Sequence, residues 1–149
     1  MTEMSTPILI LDTNVVVSAL RSSTGASHRL IQLVDGDLFE VGLTAPLVLE
    51  YEEVCKRMIS STDLTNLTPQ DIDQLIDYLC RVGKRCVVHF RLRPSVGDPD
   101  DEMVLEAAVA SGGDWIVTHN VRDLSAGAAR YGIDVLTPAD ALRRLGVVR

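Results

Sequence analysis

The chain has 149 residues, of which 46% are hydrophobic, and a formal net charge of −7. This size and apolar content suit one domain, residues 1–149, whose core needs no disulfide or structural metal. The negative charge argues against a protein that binds nucleic acid merely by being basic. No apolar run approaches the roughly 20 residues of a membrane span, and the start MTEMSTP lacks the pattern of a secretory signal, so we expect a cytoplasmic protein.

Hydrophobic patterns and helix start signals predict strands that alternate with helices. In chain order they predict a buried strand ILIL ending at Asp12, helices at 14–20 and 26–34, a strand at 39–44, a helix capped by Thr44, a helix from Thr68 to about 82, a strand at 86–90, a helix at 101–110, strands at 115–118 and 135–136, and a last helix begun by Thr137. Such alternation implies parallel pairing through right-handed crossovers. We therefore predict a three-layer α/β/α sandwich around a mainly parallel sheet of four to five strands.

The charge is distributed unevenly along the chain. The segment RVGKRCVVHFRLR, from Arg81 to Arg93, contains five basic residues and no acid, whereas residues 98–106 are dense in carboxylates. One region could hold phosphates while the other holds a cation. The alternative is a solvated basic edge strand, which discourages aggregation.

Polar residues gather where the predicted strands end, which is where open parallel sheets bind ligands. Most are acids or amides, and the set is Asp12, Glu50, Asp98, Asp101, Thr118, Asn120 and Asp123. Oxygen donors from separate segments suit a hard cation such as Mg²⁺ or Mn²⁺ and do not suit zinc. The histidines are scattered, and the three cysteines sit in apolar patterns typical of core residues.

Two other interpretations of an acid after the first strand fit the sequence poorly. A phosphatase of the haloacid dehalogenase type would need a second acid two residues later, and Asp12-Thr13-Asn14 offers an amide there. The glycine-rich signatures of Rossmann and P-loop nucleotide sites do not occur at the strand-to-helix turns.

An ordered set of motifs resembles a known family. DTNVVVSAL after a buried strand, APLVLEYEEVCKR on a helix and DPDDEMVLEAAVASGGDWIVTHNVRDL towards the end are similar to the PIN-domain superfamily. Within it, the chain most resembles the toxin components of toxin–antitoxin systems related to VapC. The likeness covers nearly the whole chain and implies a PIN-like fold.

The resemblance assigns roles to the acids position by position. It matches Asp12, Glu50 and Asp101 to metal-binding residues, and Asp98 to an outer ligand or a helix cap. Many relatives have an aspartate where this chain has Asn120. An amide adds no negative charge and cannot act as a base, so the resemblance leaves a second metal ion in doubt.

Further residues are given supporting roles. The subgroup pattern T-x-N-x-x-D is matched by Thr118, Asn120 and Asp123, of which Asp123 could supply the missing charge as a metal ligand. Thr118 and Asn120 would position the scissile phosphate or ordered water. Asn14 and Ser18 would hold Asp12 in place or cap the first helix.

The resemblance implies an endoribonuclease that hydrolyses RNA phosphodiester bonds with Mg²⁺ or Mn²⁺. It also implies a cognate antitoxin protein that blocks the acidic cleft with a basic side chain, and it allows a homodimer, although no sequence feature shows one. The alternative is a PIN fold that binds RNA or protein without cleaving, with Asn120 marking the lost charge.

Overall fold

A parallel sheet of five strands organises the chain. The computed structural model of the protein describes residues 6–61, 64, 66–88 and 99–147. In these residues the elements are β1 (Ile8–Leu11), α1 (Thr13–Arg21), α2 (Ala26–Gln32), β2 (Glu40–Leu43), α3 (Ala45–Ser60), α4 (Pro69–Val82), β3 (Lys84–Arg85), α5 (Pro99–Ser111), β4 (Trp115–Val117), α6 (Val121–Ala129), β5 (Asp134–Leu136) and α7 (Pro138–Arg144).

The strand order is β3-β2-β1-β4-β5, and every neighbouring pair is parallel. Central β1 is buried on both sides, and Leu9, Ile10 and Leu11 have no exposed surface, as the continuous apolar run ILIL predicts. The predicted α/β sandwich is confirmed. Because the strands are parallel, the residues that follow them lie at one edge of the sheet, which we call the carboxyl edge.

Helix starts follow their predicted capping residues. The Thr44 hydroxyl accepts a hydrogen bond from the amide of Leu47 at 3.4 Å, and Thr68 forms a reciprocal capping box with Asp71. The helix α5 ends at Ser111 and is followed by Gly112, whose φ of +68° favours glycine. The helices that were predicted begin and end within about two residues of the prediction.

Glycine also permits one close approach of α5 to the sheet. A Cβ atom on Gly42 of β2 would lie 2.7 Å from the Ser111 hydroxyl oxygen and 2.7 Å from Cδ1 of Ile10. The small residue therefore lets the end of α5 pack directly on β2.

The third strand is displaced from its prediction. It comprises Lys84–Arg85, which pair with Gly42 and Leu43, and only the amide of Cys86 continues the contact, donating to the Leu43 carbonyl at 2.8 Å. Val87, predicted inside the strand, is 68% exposed. Residues 89–98, which include Asp98, Arg91 and Arg93, lie outside the described residues.

The helix α6 was not predicted. Its sequence VRDLSAGAA buries Leu124, Gly127 and Ala128, so glycine and alanine supply most of its inner face. Small residues give too weak an apolar period to mark a helix. Among the helices that the structure describes, none combines the length and apolar character needed to cross a membrane.

Candidate active site at the carboxyl edge

Asp12 directly follows β1, the central strand of the sheet. Its side chain is 7% exposed, and its amide donates to the carbonyl of Val117 on β4 at 2.9 Å. Asp12 stands at the N-cap of α1, but its carboxylate makes no capping bond to the described first turn. Instead, the carboxylate accepts a 2.7 Å hydrogen bond from the hydroxyl of Thr118.

Thr118 connects three segments at this edge. Besides donating to Asp12, its hydroxyl oxygen accepts from the backbone amide of Asn120 at 2.9 Å and from the Asn14 side-chain amide at 3.4 Å. Thr118 is fully buried. Its hydroxyl therefore holds the Asp12 carboxylate from the β4 side, and its predicted role at the scissile phosphate or at ordered water stays a prediction.

Asn14 and His119 add a second connection between α1 and the loop after β4. The Asn14 side-chain oxygen accepts from the amide of His119 at 3.2 Å, and the His119 ring nitrogen Nε2 lies 3.4 Å from the hydroxyl of buried Ser27 on α2. Asn14 and Asp12 thus both bond to the Thr118 hydroxyl, and the predicted support of Asp12 by Asn14 stays a prediction. Ser18 lies half-buried one turn further along α1, and its predicted role stays a prediction.

Glu50 is brought to the same edge by α3, which begins immediately after β2. The buried residues Leu47, Tyr51 and Cys55 form the inner face of this helix, while Glu50 is half-buried. The Tyr51 hydroxyl donates to the carbonyl of Leu11, the residue before Asp12. Sequence patterning marked Tyr51 as a core residue only, and nothing in the pattern indicates this bond.

Burial and repulsion both favour protons on the central acids. Burial raises the pKa of Asp12 most, and the charge of Asp100 raises it further, whereas hydrogen bonds from the Thr118 side chain and the Thr13 backbone, and then the nearby His119, lower it. The pKa of Glu50 is also raised, first by burial and then by the charges of Asp100 and Glu53.

Asp100 is the acid that sequence reasoning assigned no role. It is exposed in the first turn of α5, and its charge acts on both Asp12 and Glu50. Asp101, the predicted ligand, is the next residue of the same turn and is half-buried.

Asn120 and Asp123 stand at the start of α6. Both are exposed, and the Asn120 side chain makes no capping bond within the described helix. Asp123 donates through its backbone amide to the Asn120 carbonyl at 3.1 Å. Their predicted roles at a metal or at substrate stay predictions.

The donor chemistry of this edge fits a hard divalent cation. Burial and neighbouring acids raise the pKa of Asp12 and of Glu50 and so disfavour their ionised forms, and a bound cation would reverse that preference. In the described part of the chain, however, no three His, Cys, Asp or Glu side chains are grouped closely enough to hold a metal ion. A shared ion would therefore have to draw these side chains together.

Comparison with known proteins identifies the family. The PIN domain family matches residues 9–122, so the chain belongs to that family. Among solved structures, the chain is similar to the crystal structure of VapBC2 from Rickettsia felis bound to a DNA fragment from their promoter. That match has a TM-score of 0.58 and 13% sequence identity, and it covers 86% of this chain and 96% of the other. At this identity the likeness shows the fold, and no curated protein sequence matches the chain.

Proposed function

We propose that the protein is a metal-dependent endoribonuclease that hydrolyses RNA phosphodiester bonds with Mg²⁺ or Mn²⁺. PIN domains are generally nucleases, and this chain belongs to the family. The observation that carries the proposal is the carboxylate of Asp12, buried at the carboxyl edge, held by Thr118 and subject to the charge of Asp100. A buried acid with a raised pKa at such an edge is typical of a functional site.

The proposed residues have distinct roles in binding. Asp12 and Glu50 would hold the cation together with Asp101, which the family resemblance matches to a ligand, and Thr118 would keep the Asp12 carboxylate oriented. When bound, the cation would polarise the scissile phosphate and lower the pKa of the attacking water. Water adds across one P–O bond, giving one fragment with a terminal phosphate and one with a free hydroxyl.

Asn120 and Asp123 would act at the outer side of this site. Both are exposed at the start of α6, where the Asn120 amide could orient the phosphate or water without adding charge. Asp123 would supply a further carboxylate. Asp98, outside the described residues, is proposed as an outer ligand or the cap of α5.

We further propose that the protein is the toxin of a toxin–antitoxin pair. The shared fold with a VapBC2 complex supports this class of partner. The cognate protein would cover the acidic edge with a basic side chain, because opposite charge would stabilise the ionised forms of Asp12 and Glu50.

A cleavage assay tests the nuclease proposal. Wild type, Asp12→Asn and Asp37→Asn are incubated with RNA in Mn²⁺ and in excess chelator. We expect cleavage by wild type in Mn²⁺, none in chelator, and a loss of at least 10²-fold in Asp12→Asn, because a neutral amide replaces a metal-binding carboxylate. Asp37 is exposed before β2, so its variant should retain wild-type activity.

The competing function is a PIN fold that binds RNA or protein without cutting. The exposed amide of Asn120, where many relatives have an acid, and the lack of a preformed three-ligand group in the described residues favour it. Intact RNA with wild type and Asp12→Asn alike, over a series of divalent metals, would decide for this alternative.

A further inference from the structure

The pairing between β1 and β2 ends before β1 reaches the candidate site. β1 pairs with β2 at Ile8–Glu40 and Leu9–Val41, whereas its pairing with β4 continues to Leu11–Val117. The amide of Asp12 donates towards β4, and successive residues of a strand direct their backbone groups to opposite sides. The carbonyl of Leu11 therefore faces the β2 side, beyond the last paired residues of β1 and β2.

Tyr51 occupies the place that a β2 residue would take. Its hydroxyl donates to the Leu11 carbonyl, and its side chain has no exposed surface. Burial, followed by the charge of Asp12, raises the pKa of Tyr51 well above its usual value, so the hydroxyl keeps its proton and remains a donor. A backbone carbonyl buried at a strand end requires such a partner.

This bond links the two acids of the site through their neighbours in the chain. Tyr51 directly follows Glu50 on α3, and Leu11 directly precedes Asp12. The Asp12 carbonyl accepts from the amides of Val15 and Val16 within α1, and the other described bonds of Asp12 run to Thr118 and Val117 in and after β4. Among the described hydrogen bonds, the Tyr51 bond is the one that joins this end of β1 to the helix carrying Glu50.

We propose that Tyr51 is a positioning residue whose hydroxyl sets the separation of the Asp12 and Glu50 carboxylates, so that one divalent cation can bind both. The inference rests on the proposed function. Each of the two carboxylates, when ionised, repels the other. A fixed connection between β1 and α3 opposes the separation that this repulsion favours.

The variant Tyr51→Phe removes one oxygen and keeps the ring. We measure Mn²⁺ affinity of the metal-free protein by calorimetry, and RNA cleavage at saturating Mn²⁺. The Mn²⁺ dissociation constant should rise, and kcat should fall, each by about tenfold, the lower end of what residues orienting metal ligands contribute. KM for RNA should change by less than about twofold, since Tyr51 is buried away from substrate.

Cys55→Ala is the matched control. Cys55 is one turn further along the same buried face of α3 and has no exposed surface. Its truncation lowers stability through packing and should leave Mn²⁺ affinity and kcat near wild type. If Tyr51→Phe is destabilised like Cys55→Ala but binds Mn²⁺ and turns over like wild type, the positioning role is wrong.

The wild-type protein provides a second measurement that does not depend on the folding of a variant. The buried hydroxyl proton of Tyr51 should give a slowly exchanging proton resonance that shifts as Mg²⁺ is added, because its acceptor adjoins Asp12. A saturating Mg²⁺ titration that leaves this resonance unmoved overturns the inference.

The two proposals fail in different ways. A wild type that binds Mn²⁺ without cutting RNA removes the nuclease proposal, and the calorimetric comparison of Tyr51→Phe then still decides the role of Tyr51. A wild type that binds no divalent cation overturns both.

Discussion

Asp12 experiences opposing influences that depend on a few neighbouring atoms. The Thr118 hydroxyl favours the ionised carboxylate, whereas burial and the charge of Asp100 disfavour it. Burial is the largest of these influences, and the pKa of Asp12 is raised as a result. The folded protein therefore binds a proton on Asp12 more tightly than the unfolded chain does. Ionised Asp12 thus lowers the free energy of unfolding.

This linkage predicts a pH-dependent effect of Asp12→Asn in the absence of metal. Below the ordinary aspartate pKa of 3.8 both proteins are neutral at this position. As the pH rises from there through the raised pKa, wild type loses stability and the amide variant does not. At pH 7.5 the variant should melt higher, by about 2–4 °C for each kcal/mol relieved.

Thermal denaturation from pH 4 to pH 8 in chelator measures this difference. Asp37→Asn removes the same charge from an exposed position. The difference in Tm between this variant and wild type should therefore stay nearly constant with pH. A variant Asp12→Asn that becomes less stable than wild type as the pH rises would show that the folded state prefers the ionised carboxylate, contrary to the balance described above.

At the residue scale, the sequence indicated candidate acids for the site but not the hydrogen bonds that surround them. Asp12 and Glu50 were predicted at this edge from strand ends and from the family resemblance. The bond from Tyr51 to Leu11 and the contact of His119 with Ser27 join residues 40 and 92 positions apart. Such contacts depend on packing angles between elements, which local patterns do not specify.

The first turn of α5 carries two candidate ligands side by side. Asp101 is matched by the family resemblance and is half-buried, whereas Asp100 is exposed and its charge acts on Asp12 and Glu50. Adjacent helix residues point about 100° apart. One cation close to Asp12 should therefore bind one of them directly and be influenced by the other only through its charge.

We expect Asp101→Asn to lose most of the stabilisation that Mn²⁺ gives, and Asp100→Asn to keep most of it. For wild type at a Mn²⁺ concentration of about 100 times the dissociation constant, the gain should be about 2.7 kcal/mol, or about 5–10 °C in Tm. Melting curves with Mn²⁺ and with chelator measure the gain for each protein. The reverse ranking of the two variants would assign the ligand to Asp100.

At the level of elements, strong local sequence signals were sufficient to predict a helix or strand, and weak signals were not. β1, α3 and α4 were predicted because a buried apolar run and two capping threonines mark them. The strand β3 was misplaced because its two residues, Lys84 and Arg85, are polar and exposed at the sheet edge. The helix α6 was missed because its inner face is largely Gly127 and Ala128.

The whole molecule combines a net charge of −7 with a basic sheet edge. Arg85 is exposed and pairs in register with Leu43, the last residue of β2, so it stands at the carboxyl edge with the acids. The basic segment was left open between a phosphate-binding surface and a protective edge strand. The position of Arg85 allows the phosphate-binding interpretation to be tested.

If Arg85 contacts an RNA phosphate, Arg85→Gln should weaken binding of single-stranded RNA and make the slope of log affinity against log salt shallower by about 0.7. Binding is measured in chelator, so that no cleavage occurs. Arg144→Gln is the control, because Arg144 bonds at 2.7 Å to Asp134 at the opposite end of the strands. Equal slopes for wild type and Arg85→Gln would support the protective edge strand.

The hydrogen bond between Asp12 and Thr118 joins residues 106 positions apart in the chain. This separation determines when the site can form during synthesis. A ribosome that has released β1, β2 and α3 has released Asp12 and Glu50, but not the strand that holds Asp12 in place. The growing polypeptide therefore cannot assemble the site until β4 emerges and inserts beside β1.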